Sequence, residues 1–262
     1  MPRFSANLSW LYQEIPFFER FQHARSDGFN AVECLFPYDH SISDITSQLQ
    51  QHNLEMVLIN APAGDWLQGE RGISIHPANK IRFRKLFESQ AIPTALALNC
   101  SRIHIMSGLL SNASDKSDAD LTFLDNLEWA LKAVSGYPIT LLIEPISQQA
   151  IPGYYLTYQE QAISVIKQFN HPQLQLQLDL FHCQLTEGSL TQHIEYALDN
   201  DILGHVQIAG VPHRHEPDEG EINYSYIFNL LDERKYLHFI GCEYSPKHTT
   251  SAGLNWFRAY AY

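Results

Sequence analysis

Eight short apolar runs punctuate the chain, at Arg3–Leu8, Ala31–Phe36, Leu54–Asn60, Cys100–Met106, Tyr137–Glu144, Leu174–Phe181, 204–210 and His238–Tyr244. Each is almost continuously apolar rather than alternating, as expected of parallel strands buried on both faces. Between them the apolar positions fall at helical spacing. Helices are predicted over Ile15–Asp27, ended by Gly28, and over Ser43–His52, Leu121–Val134, Thr157–Phe169, Leu190–Leu198, Tyr224–Arg234 and Gly253–Tyr260. The segment 77–99 has helical spacing too, but Pro93 must kink it or split it in two. Strand and helix thus alternate eight times, the pattern of a (β/α)8 barrel. An open doubly wound sheet would carry a glycine-rich turn after its first strand, and NLSWLYQEI has no glycine. No linker or low-complexity segment interrupts the series, so residues 1–262 are expected to form a single TIM-barrel domain.

Composition narrows the partners. A chain of 262 residues with 45% hydrophobic content can bury a substantial core. Its formal net charge of -12 argues against nucleic acid, which is held largely through Lys and Arg. No apolar run is long enough to cross a bilayer, and MPRFSANLSW lacks the apolar core of a signal peptide, so a cytoplasmic protein is expected. Cys34, Cys100, Cys183 and Cys242 are widely spaced, with no metal or disulfide pattern, and read as reduced thiols. Whether the chain forms a homo-oligomer is left open.

Four successive apolar runs end in, or contain, a residue able to bind a metal: Glu144 in LLIEP, Asp179 in LQLDLFH, Gln207 in HVQIAG and Glu243 in GCEY. Singly, each has an ordinary explanation, as a strand-end ion pair, a turn cap or a tie between strands. Together they repeat a burial cost of several kcal/mol that a shared cation would offset. In a barrel the C-terminal strand ends converge on one mouth. Three carboxylates and an amide offer oxygen only, which suits a hard ion such as Mg²⁺ or Mn²⁺.

Residues around this set are candidate substrate contacts. His182 follows Asp179 by three residues. The run HVQIAG breaks at Gly210 into a charged loop carrying His213, Arg214 and His215. A second metal on His213 and His215 is disfavoured, because Arg214 would repel a cation if it pointed inward. Arg214 is better used on a substrate carboxylate. Arg71, in GERG within a long loop, has the same logic, with Glu70 to hold it.

At these residues the chain resembles the hydroxypyruvate isomerase family, among the xylose-isomerase-like barrels. The resemblance spans nearly the whole sequence and is carried by AVECLFPY, WLQGERG, LLIEPI, LDLFHCQ, HVQIAGVPHRHEPDEGEINY and GCEY. It implies a metal-dependent isomerase that interconverts hydroxypyruvate and tartronate semialdehyde, with a close branch acting on 2-oxo-tetronates. It also implies that Glu144, Asp179, Gln207 and Glu243 hold the metal, that Glu144 and Glu243 form the acid/base pair, and that His182, Arg214 and Arg71 bind substrate. Sugar epimerases of the same superfamily usually have His where Gln207 stands, which weakens that reading. Two rivals belong to other classes: a metal-dependent endonuclease on the same barrel, against the acidic charge, and a sugar-acid binder without turnover.

Overall fold

The computed structural model describes residues 1–110 and 115–260; the polar stretch predicted ahead of the Leu121 helix begins in 111–114, outside that range. Eight parallel strands close in chain order: β1 (Arg3–Asn7), β2 (Ala31–Cys34), β3 (Glu55–Asn60), β4 (Arg102–His104), β5 (Thr140–Ile143), β6 (Leu174–Asp179), β7 (Leu203–Ile208) and β8 (Phe239–Cys242). Pairing of β1 with β8 seals the ring, with Phe4 opposite Ile240 and Ala6 opposite Cys242. The helices pack outside: α1 (Glu19–Ser26), α2 (Ile42–His52), α3 (Lys80–Leu86), α4 (Ile92–Ala97), α5 (Lys116–Val134), α6 (Gln159–Phe169), α7 (Leu180–Thr186), α8 (Leu190–Asp199), α9 (Tyr224–Glu233), α10 (Thr250–Gly253) and α11 (Asn255–Arg258). None of the described helices is long and apolar enough to cross a membrane.

The predicted xylose-isomerase-like (β/α)8 fold is present, and the departures from the sequence reading have local causes. The sixth strand stops at Asp179 instead of Phe181, because Asp179 Oδ1 accepts the Phe181 N–H at 2.8 Å and caps α7. The apolar run continues only because α7 buries Leu180, Phe181, His182 and Cys183 as well. His182 therefore stands on a helix. The segment 77–99 divides as Pro93 requires: with no N–H at that position, the helix widens into a π-helical turn over Phe87–Ala91 before α4. The first helix starts at Glu19, three residues after Pro16, and the closing helix is two short ones.

Side-chain alternation divides the strands into two faces. Outward residues such as Phe4, Val32, Leu176, Leu178 and Val206 enter the large apolar layer beneath the helices. Phe4 lies edge-on to Phe228, Trp256 and Phe257 at 5.1, 5.2 and 5.7 Å, tying the first strand to the last helices. Such pairs contribute about 0.5–1.5 kcal/mol each beyond the area they bury. Inward residues change character along the barrel axis. Ala31, Leu142 and Phe239 belong to a small separate apolar cluster, while Glu33, Glu144 and Glu243 follow on the same face two or four residues later. The barrel is apolar at one level and strongly polar towards its C-terminal mouth.

Candidate active site

At that mouth the structure brings together the four ligand candidates. Asp179 is the last residue of β6, Gln207 lies in β7, and Glu144 and Glu243 immediately follow β5 and β8. All four are buried. Gln207 Nε2 donates to Glu243 Oε2 at 2.7 Å, and Gln177 Nε2 links Gln207 Oε1 (2.7 Å) with Glu144 Oε2 (3.0 Å). One oxygen each of Glu144 and Asp179 and a ring nitrogen of His182 lie within 4.8 Å of one another, close enough to share one ion.

Arg214 does point inward. Its Nη2 donates to Asp179 Oδ2 at 3.0 Å and Glu243 Oε1 at 2.7 Å, and its Nη1 lies 3.1 Å from His182 Nε2. The guanidinium is held between the rings of Trp10 and Phe181, at 4.4 and 4.8 Å from their centroids. His182 Nδ1 meets Ser147 Oγ at 3.2 Å. His213 and His215 do not converge on this centre as a pair: His215 Nδ1 faces the Ser245 carbonyl at 2.8 Å.

Charge here is unbalanced. Burial pushes Glu144 well above the usual carboxylate range, reinforced by Asp179 and Glu243. Burial also raises Asp179, although Arg214 and the N–H groups of Phe181 and His182 oppose it. Glu243 is pushed up to about 8 by burial, which outweighs Arg214, with Asp179 and Glu33 adding to the rise. His182 and His104 are driven down by burial, His104 to about 3, so both imidazoles are neutral and the 3.5 Å contact of His104 with Glu144 is not an ion pair. One guanidinium among several buried carboxylates leaves a deficit of positive charge, and an oxygen-rich donor set with that deficit fits a divalent cation.

The mouth opens into a cavity of about 470 Å³ whose wall includes Glu144, His182, Arg214, Glu243 and Arg71. Three buried polar atoms on residues of this wall have no hydrogen-bond partner among the described residues: Asn60 Oδ1, His104 Nε2 and Gln177 Oε1. Arg71 stacks on Trp66 at 3.9 Å and spends Nη1 on the carbonyls of Trp66 and Glu70. Glu70 does not hold it as expected, because its carboxylate pairs with Arg82 at 2.7 Å. A larger hollow, about 910 Å³, lies at the other end of the barrel around Arg3, Glu55 and Phe239. It gathers none of the polar side chains described above.

Sequence reasoning missed His104 and Gln177 on the cavity wall, and Glu33, Asn7 and His205, buried outside its lining. Glu33 is wholly buried, and it accepts from Ser5 Oγ (2.6 Å) and Gln207 Nε2 (3.0 Å), with His205 Nε2 at 2.8 Å. Burial raises its pKa, but His205 and these hydrogen bonds prevail and hold it below the usual carboxylate range. A carboxylate between Val32 and Cys34, inside an apolar run, was the available signal.

A closed parallel barrel with clustered carboxylates and an amide at its C-terminal rim defines a class of small-molecule enzymes that work at a strand-end oxygen site. Residues 21–260 match the family model described as xylose isomerase-like TIM barrel, and the chain belongs to that family. It is 42% identical to the 2-oxo-tetronate isomerase of Cupriavidus necator, over 99% of both chains. It is 41% identical to the hydroxypyruvate isomerase of Escherichia coli, over 99% of this chain and 100% of that one. Among solved structures it matches the AP endonuclease, family 2, of Brucella melitensis at 44% identity and a TM-score of 0.96, with both chains covered completely.

Proposed function

We propose that this protein is a metal-dependent isomerase of small 2-oxo acids, interconverting hydroxypyruvate and tartronate semialdehyde. The observation that carries the reading is the meeting of Glu144, Asp179, Gln207 and Glu243 at neighbouring strand ends, with Glu144 and Glu243 lining a cavity that also contains Arg71, a cation without a carboxylate partner among the described residues. Relatives named for this chemistry at about the same identity support it.

The reaction is redox-neutral: one carbon loses a proton, its neighbour gains one, and the carbonyl and hydroxyl exchange places. Glu144 and Glu243 flank the site and serve as the acid/base pair, one taking the proton from the carbinol carbon and the other returning it to the former carbonyl carbon. Burial and neighbouring carboxylates raise the proton affinity of both, and a bound cation would oppose that and favour the ionised form a base needs. Glu144, Asp179, Gln207 and Glu243 would hold Mg²⁺ or Mn²⁺, which would supply positive charge beside the substrate oxygens that become negative. The remaining Nη1 hydrogen of Arg214 holds a substrate oxygen, and His182, engaged by Arg214 through Nε2 and by Ser147 through Nδ1, positions that guanidinium. Arg214 is already engaged by two carboxylates, so the substrate carboxylate goes to Arg71, whose Nε and Nη2 are free among the described residues. Four buried thiols, none in a disulfide, fit a cytoplasmic setting.

A 2-oxo-tetronate is the second reading, favoured by the cavity volume of about 470 Å³, which exceeds what a three-carbon acid fills. Endonuclease activity, the name borne by the Brucella relative, fits poorly with a net charge of -12. The test is proton exchange in D₂O with hydroxypyruvate and with a 2-oxo-tetronate. Deuterium should enter at the carbon beside the carbonyl, stop on chelation, and return with Mg²⁺ or Mn²⁺. Glu144→Gln and Glu243→Gln should each abolish it. Binding without exchange would instead identify a sugar-acid binder, and cleavage of abasic DNA a nuclease.

A further inference from the structure

We propose that Glu33 is a positioning residue for the cation site, acting through the side-chain amide of Gln207. The inference rests on the isomerase reading for its cation but on geometry for its assignment. Glu33 lies one level below the mouth, is wholly buried, and is not one of the four ligand candidates. Four donors surround it: Ser5 Oγ at 2.6 Å, His205 Nε2 at 2.8 Å, Gln207 Nε2 at 3.0 Å and Asn7 Nδ2 at 3.4 Å. A leucine or methionine would fill the same space without needing any of them, so the carboxylate has a task other than packing.

That task is visible in the amide of Gln207. Its nitrogen sits between Glu33 Oε2 and Glu243 Oε2, at 3.0 and 2.7 Å, and the Glu33 carboxylate, ringed by donors, is the acceptor there. The NH₂ group must therefore face them. The amide oxygen is turned to the opposite side, where Gln177 and Glu144 lie. Without Glu33 the amide loses one of the two acceptors that fix its direction, and a flipped amide would present N–H to a cation. Asn7 repeats the arrangement: Nδ2 donates to Glu33 and, at 2.9 Å, to Glu243 Oε2, while Oδ1 accepts the Ser9 N–H at 3.0 Å. Two amides thus couple Glu33 to the orientation of Gln207 and Glu243. Room for the carboxylate comes from Gly241 of β8, where an added Cβ would overlap both Glu33 oxygens.

The experiment titrates metal-stripped protein with Mn²⁺, following free Mn²⁺ by electron paramagnetic resonance with no substrate present. Outer partners of metal ligands contribute roughly ten- to hundredfold in affinity, and Glu33→Gln, which keeps the shape, should weaken Mn²⁺ binding by that factor. In a Gln207→Ala background the same change should have a much smaller effect, since its route of action is gone. Glu33→Asp, which keeps the charge but shortens the side chain away from Gln207 Nε2, should also weaken binding, and it serves if Glu33→Gln does not fold. Wild-type affinity in folded Glu33→Gln, or an equal loss with and without Gln207, overturns the assignment while leaving the isomerase reading intact. A wild-type protein that binds no divalent cation overturns both.

Discussion

Arg214 donates from Nη2 to Glu243 Oε1 at 2.7 Å, and it does so from a backbone with φ of 57°, a left-handed conformation unusual for a residue with a side chain. The same nitrogen reaches Asp179 at 3.0 Å, so one planar group spans two carboxylates from different strand ends. Lysine keeps the charge but not the fork. Arg214→Lys should cost about 1.5–3 kcal/mol of transition-state stabilisation, the range for hydrogen bonds to charged groups. That is roughly a ten- to hundredfold fall in kcat/KM, read from initial rates with hydroxypyruvate. Undiminished turnover would remove Arg214 from the site's working parts.

Arg71 is anchored by carbonyls and by the Trp66 ring, with no carboxylate partner among the described residues. Arg71→Ala should raise KM about ten- to hundredfold, from the loss of one charge-assisted contact, while kcat changes far less because the residue lies away from the reacting carbons. If kcat collapses and KM stays put, the carboxylate is held elsewhere.

Tyr224 fastens the exit of β7. Its hydroxyl donates to the Ala209 carbonyl at 2.8 Å and receives the Ala209 N–H at 3.2 Å, just after the strand that carries Gln207. Tyr224→Phe leaves both backbone groups buried without that partner, and it should destabilise the fold by about 1–3 kcal/mol in urea denaturation. A melt indistinguishable from wild type would contradict the clamp.

The cysteines are expected to be inert. Burial pushes the Cys34 thiol up to about 11 from an ordinary 9.0 and Cys100 to about 12, and it raises Cys183 and Cys242 as well. At pH 8 an aromatic disulfide reagent should find no fast thiol in the native protein and four after unfolding. The sign for stability follows: these groups hold their protons longer when folded, so their contribution is complete below about pH 9 and is lost as pH rises through 11. Rapid modification of the native protein would count against this packing.

The alternation of apolar runs with helically spaced segments was enough to name the barrel, because parallel strands covered on both faces cannot be polar without a reason. That rule also exposed Glu144, Asp179, Gln207 and Glu243, whose polarity interrupts apolar runs at equivalent places. The same rule holds for Glu33, which AVECLF encloses in the same way. Other things could not be read from order along the chain. The end of β6 depends on a side chain capping the next helix, and LF serves a buried helix as well as a buried strand. The partners of Arg214, the pairing of Glu70 with Arg82 instead of Arg71, and the Glu33–Gln207–Glu243 chain include a direct contact between residues 174 positions apart. Sequence determined which residues were too costly to bury alone; only closure of the ring decided which of them would compensate one another, since those energies depend on distances of about 3 Å that no spacing along the chain encodes.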